Sequence, residues 1–122
     1  MKAKILLVDD SGLARRNERQ MLESAGYEVV EAEDGLSGLE RYFLEKPDVV
    51  LLDLVMKGMM GLDVLQKLLE MDPRVRAIVV SADIQDSSRE MAVAGGAHGF
   101  LTKPVDKAAL LKAVAGALET RA

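Results

Sequence analysis

The sequence predicts an α/β domain in which helices cover both faces of one parallel sheet, a doubly wound arrangement. Three observations carry this. Five short apolar runs alternate with five helix-like stretches along 122 residues. Three of those runs are apolar throughout, where a strand with one solvated face would alternate. The first of them runs straight into two adjacent aspartates, Asp9 and Asp10. Right-handed crossovers between parallel strands then place helices on both faces.

The first run, "KILLV" (4–8), leads into Asp9 and Asp10. Ser11 suits an N-cap, and a helix from there to about Ala25 stops at Gly26, where a left-handed cap fits. Its expected apolar face is thin: Ala14, Met21, Leu22 and Ala25. "YEVVEA" (27–32) is the second strand, ending at Glu31 and Ala32 with Glu33 beyond. Asp34 caps a second helix, which runs to Glu45 and ends before Pro47. "DVVLLD" (48–53) is the third strand. A third helix spans about Gly61 to Met71, with Leu62, Leu65, Leu68 and Leu69 as its stripe. "RAIVVS" (76–81) is the fourth strand, followed by a helix over Asp86 to Ala94 that Gly95 and Gly96 close. "HGFLTK" (98–103) is the fifth. The last helix runs from Asp106 to about Leu118, with Leu111, Val114, Ala115 and Leu118 expected on its buried face.

Composition narrows the function. The chain is 49% apolar, enough for one sizeable core. Acids outnumber bases 20 to 16, the net charge is -4, and no basic run is present, so direct nucleic-acid contact is not expected. There is no cysteine, which removes disulfides, thiolate chemistry and cysteine-bound zinc. His98 is the single histidine, which excludes a multi-histidine metal site, and within "GGAHGF" it reads as a turn residue rather than a phosphohistidine. No apolar stretch reaches the roughly 20 residues of a membrane span, and the N-terminal apolar run is too short for a secretory signal. The expectation is a cytoplasmic protein with no membrane contact.

Ligands of open α/β sheets bind outside the carboxyl ends of the strands. Strand one delivers Asp9 and Asp10 there, strand three Asp53, strand four Ser81, and strand five Lys103 followed by Pro104. Taken singly, each has an ordinary explanation: a charge favoured by a helix dipole, a strand-end turn, a loop hydroxyl, a solvated lysine. Together they place three carboxylates, a hydroxyl and an ammonium on one sheet edge. Crowded carboxylates repel unless a cation compensates them. Magnesium suits an all-oxygen set, with manganese as an alternative. Lys103 suits a phosphate oxygen, and Ser81 adds a hydrogen bond. A carboxylate in that company can attack phosphorus and form an aspartyl phosphate.

These residues resemble the receiver domain of two-component response regulators, and the resemblance covers essentially the whole chain, 1–122. It rests on "ILLVDDSGLARR", "PDVVLLDLVMKGMMGLDVL", "AIVVSAD" and "GGAHGFLTKPVD", in the family's order and spacing. The resemblance implies a flavodoxin-like (βα)5 three-layer sandwich with strand order 2-1-3-4-5. It implies that Asp53 accepts a phosphoryl group from a histidine kinase, a phosphotransfer protein or a small phosphodonor. Asp9, Asp10 and Asp53, with the backbone carbonyl of Val55, would hold Mg2+. Lys103 would bridge to the phosphoryl group and Ser81 would move to bond it. Phe100 occupies the switch-aromatic position, Pro104 a position that follows a cis peptide, and Gly58 and Gly61 shape the loop after Asp53. The surface of helix four, strand five and helix five would then change its affinity for a downstream protein, with the chain a monomer or a phosphorylation-dependent dimer.

The chain departs from the family in three places. Lys57 stands where the family often has proline, and Met60 where it often has an acid. Phe100 lacks the hydroxyl of the tyrosine often found there. Val55 and Asp83 occupy the two positions that border the phosphoryl group and tune its lifetime. Met56, Met59 and Met60 read as a soft partner patch or as partly buried loop residues.

Three other classes fit less well. A magnesium-dependent phosphohydrolase with an aspartyl nucleophile needs a second acid where this chain has Val55, and a cap for which little chain remains. A flavin-binding domain needs a phosphate loop after strand one and stacking aromatics, which total only 3% here. A phosphorylation-independent interaction module with an inherited pocket is the remaining alternative. The expectation is therefore a binding switch with self-phosphorylation and autodephosphorylation, and no enzymatic turnover.

Overall fold

A computed structural model describes residues 2–82 and 86–119. Ten elements alternate strictly: β1 (Lys4–Val8), α1 (Gly12–Ser24), β2 (Glu28–Ala32), α2 (Gly35–Glu45), β3 (Val49–Asp53), α3 (Gly61–Met71), β4 (Ala77–Ser81), α4 (Asp86–Ala94), β5 (Gly99–Thr102) and α5 (Lys107–Glu119). The strands form one sheet in the order β2-β1-β3-β4-β5, and every pairing is parallel.

The period of two along each strand divides the core into two layers. Leu6, Val8, Val50, Leu52 and Val79 face one way, onto Tyr42 of α2, Val64, Leu65 and Leu68 of α3, and Ala92 of α4. Ile5, Leu7, Val49, Leu51, Ile78 and Val80 face the other way, onto Leu22 of α1 and Leu110, Val114 and Ala117 of α5. β3 and β4 are buried along their whole length, which explains their unbroken apolar runs. Each fully buried leucine or isoleucine contributes roughly 1.5–3 kcal/mol from burial.

The helix starts follow the local chemistry. Ser11 Oγ accepts from the Ala14 N–H at 3.2 Å, and Asp34 Oδ1 from the Ser37 N–H at 2.7 Å. Gly26, just past α1, has φ +92°, the left-handed cap expected there.

Two expected helix faces are corrected. In α1, Ala25 is the exposed C-cap and not part of the packed face. The buried residues of that helix are Leu22 and an acid, Glu18. In α5 the buried stripe is Leu110, Val114 and Ala117; Leu111 and Leu118 flank it and Ala115 is exposed. α5 is thus rotated from the expected face, because its alanine-rich sequence offers more than one apolar stripe and docking on β4 and β5 selects one. In α3, Val64 joins Leu65 and Leu68 as fully buried, while Leu62 and Leu69 lie at the border.

Candidate functional site

The carboxyl ends of β1, β3, β4 and β5 lie side by side, so the polar residues that follow them converge. Asp9, Asp10 and Asp53 each offer a carboxylate oxygen, and these oxygens lie within 4.8 Å of one another. Asp9 and Asp53 are buried, at 3% and 7% exposed, whereas Asp10 is open to solvent. Between the buried pair stands Lys103, its Nζ 2.8 Å from Asp9 Oδ2 and 3.4 Å from Asp53 Oδ2.

Each side chain is held from the backbone upward. Asp9 Oδ1 accepts from the Ser11 N–H at 2.8 Å, which turns the chain from β1 into α1. The Asp9 carbonyl accepts from Arg15 at 2.6 Å. Arg15 and Arg19 share Glu31 at 2.9 Å and 2.6 Å, tying this corner to β2. Asp10 Oδ2 accepts from the Lys57 N–H at 3.2 Å, so an acid after β1 steadies the loop after β3. That loop turns at Gly58, with φ +82°, and closes when the Gly61 N–H donates to the Leu54 carbonyl at 2.9 Å. A Cβ at Gly61 would overlap the Asp53 carbonyl oxygen and lie 2.8 Å from Leu54 Cα, so only glycine permits this approach. Lys103 is anchored through its own N–H, which donates to the Ser81 carbonyl at 2.8 Å.

The electrostatics follow from this crowding. Burial, and then the charge of Asp9, push the Asp53 carboxyl up to about 6, against the opposing pull of Lys103. For Lys103, burial acts to lower the ammonium's pKa, but its bonds to Asp9 and Asp53 outweigh it and the net shift is upward.

Asp9, Asp10, Asp53 and Lys103 are therefore brought together, and Ser81 ends the adjoining β4 at 2% exposed. Val55 follows two residues after Asp53 with its side chain 61% exposed. Phe100 lies on β5, partly buried against the α2–α3–α4 layer, with the Arg89 guanidinium 5.4 Å from its ring centroid. The Lys103–Pro104 peptide is cis, as the resemblance implies. Met56 is buried, Met59 packs against the same layer and Met60 is 43% exposed, so the methionines are not one patch. His98 is exposed, its N–H donating to the Ala77 carbonyl at the entry to β5. Asp83 lies outside the described residues.

Two participants escaped the sequence reading. Arg15 reaches the Asp9 carbonyl, and nothing in the local sequence signals that contact. Glu18, 4% exposed on α1, is pushed up to about 7 by burial and then by the charge of Asp9, with Lys103 opposing. Its signal was legible: it stands four residues after Ala14 and four before Leu22, inside the apolar stripe.

A site of three clustered acids and one lysine fits a hard divalent cation, since every side-chain donor is a carboxylate oxygen and two of the three acids are buried. Among the described residues no helix is long and apolar enough to cross a membrane.

Comparison with known proteins gives the same picture. The response regulator receiver domain family matches residues 5–115. The chemotaxis protein CheY of Thermotoga maritima is 34% identical over 115 residues, covering 93% of this chain and 96% of CheY. Protein PilH of Pseudomonas aeruginosa is 39% identical over 115 residues, covering 92% and 94%. A chain of the CheX–CheY–BeF3–Mg2+ complex from Borrelia burgdorferi superposes with a TM-score of 0.88 at 30% identity, covering 92% of this chain and 86% of that one. Sheet order, acid cluster and relatives agree: this chain belongs to the response regulator receiver domain family of two-component signalling.

Proposed function

We propose that Asp53 is the phosphoacceptor of a phosphorelay and that its phosphorylation resets a protein-binding surface. The observation that carries this reading is the buried Asp53 carboxylate, flanked by Asp9 and Asp10 and bonded by Lys103. An Asp53 oxygen attacks the phosphorus of a phosphohistidine on a kinase or phosphotransfer protein. The P–N bond breaks, and the imidazole leaves with the bonding pair. Asp9, Asp10 and Asp53, with the Val55 carbonyl, are the residues that would hold Mg2+, which when bound neutralises charge on the phosphoryl oxygens. Lys103 supplies a further positive charge to the same oxygens, and Ser81 a hydroxyl.

Phosphorylation adds roughly two negative charges at Asp53. Lys103 and Ser81 are drawn toward them, and Phe100, on the strand between these two residues, repacks. The α4–β5–α5 surface then changes its affinity for a downstream protein. In this reading the chain works in the cytoplasm without turning over a substrate.

Intact-protein mass after incubation with acetyl phosphate tests this. A single Mg2+-dependent phosphoryl adduct is expected on the wild type and none on Asp53→Asn. No wild-type adduct despite Mg2+ binding would favour a phosphorylation-independent interaction module.

A further inference from the structure

Glu18 is the buried acid that the phosphorylation chemistry leaves unused. It projects from the middle of α1 and is 4% exposed. Burying a carboxylate is costly, so its place needs a reason. Glu18 and Lys103 line one groove of about 420 Å³ between α1 and the segment after β5, with Leu13, Met21 and Val105 as apolar wall. Lys103 is the cation that favours the ionised form of Glu18, while Asp9 and Asp53 oppose it. Asp9 and Asp53 hold the ammonium, at 2.8 Å and 3.4 Å, and Glu18 lines the same groove as Lys103.

We propose that Glu18 is a positioning residue for Lys103, offering the ammonium a second seat on the groove side. The proposal rests on the receiver reading, in which a divalent cation takes over Asp9 and Asp53. Neutralising those two acids weakens their hold on Lys103. Its four-carbon stem is flexible, and Glu18 is the acid that lines the groove with it. Glu18 thereby makes it easier for the cation to displace Lys103, and tethers Lys103 beside the site where the phosphoryl group arrives.

The test is calorimetric titration of Mg2+ at pH 8 into the wild type, Glu18→Gln, Lys103→Met and the double variant, each first shown folded by circular dichroism. Glu18→Gln is expected to weaken Mg2+ about fivefold in the wild-type background, and less than about twofold in the Lys103→Met background. Equal weakening in both backgrounds would overturn the proposal, because Glu18 would then act only as a distant charge. No weakening would overturn it as well. A wild type that binds no Mg2+ would instead remove the receiver reading and the proposal with it. The second measurement needs no variant. In the wild type, a nuclear Overhauser contact between Lys103 Hε and Glu18 Hγ should strengthen on adding Mg2+, and its failure to do so overturns the proposal even if a variant does not fold.

Discussion

Lys103 and Asp9, 94 residues apart in the chain, meet at 2.8 Å beneath the mouth of the acid cluster. The contact places the Lys103 ammonium against the most buried acid of the cluster, and Asp53 takes the longer bond at 3.4 Å. The two acids therefore compete for one charge, and burial with the charge of Asp9 pushes the Asp53 carboxyl up.

Removing that ammonium should make Asp53 more basic still. In Lys103→Met, without Mg2+, the Asp53 titration is expected to move upward from about 6, since both its bond and its charge act to lower it. Carboxyl carbon chemical shifts followed against pH measure this. An unchanged midpoint would show that Lys103 does not govern the acceptor.

The pH dependence of stability has a definite sign. Asp53 rises from an ordinary 3.8 to about 6, and Glu18 from 4.5 to about 7. Within those windows the folded state holds more protons than the unfolded one, so stability falls as pH rises from about 4 to about 7. Urea unfolding in EDTA should show the fall, and Glu18→Gln should recover on the order of 2 kcal/mol at pH 8 and little at pH 4.

Bound Mg2+ should reverse that loss. At 100 times its Kd, a ligand specific to the folded state adds about 2.7 kcal/mol. Thermal unfolding at pH 8 should therefore shift upward with Mg2+ in the wild type. Asp10→Asn, which removes an exposed oxygen ligand and leaves the core untouched, should lose most of the shift.

The glycines should separate by surroundings. Gly61→Ala forces a Cβ into the Asp53 carbonyl and should cost about 1–3 kcal/mol while displacing the acceptor loop. Gly58→Ala meets no atom within 4 Å but sits at φ +82°, so it should cost about 1–2 kcal/mol of backbone strain. Gly116→Ala, inside α5 with open space around it, should stabilise by about 0.5–1 kcal/mol. Denaturant midpoints of the three variants check the order.

The sequence by itself determined the alternation of strands and helices, the unbroken burial of β3 and β4, the caps at Ser11 and Asp34, and the identity of Asp9, Asp10, Asp53, Ser81 and Lys103. These are local properties: a period of two or 3.6, a capping oxygen, a polar residue where an apolar run stops. Tertiary structure decided the rest. It chose Leu110, Val114 and Ala117 as the buried stripe of α5, because a helix rich in alanine has several usable faces and only its docking partners rank them. It buried Glu18, because a helix with few large apolar residues must turn some polar position inward to seat Leu22. It gave the shorter Lys103 bond to Asp9 rather than Asp53, because a flexible side chain settles where through-space charge and burial balance, and neither can be read from positions along a chain.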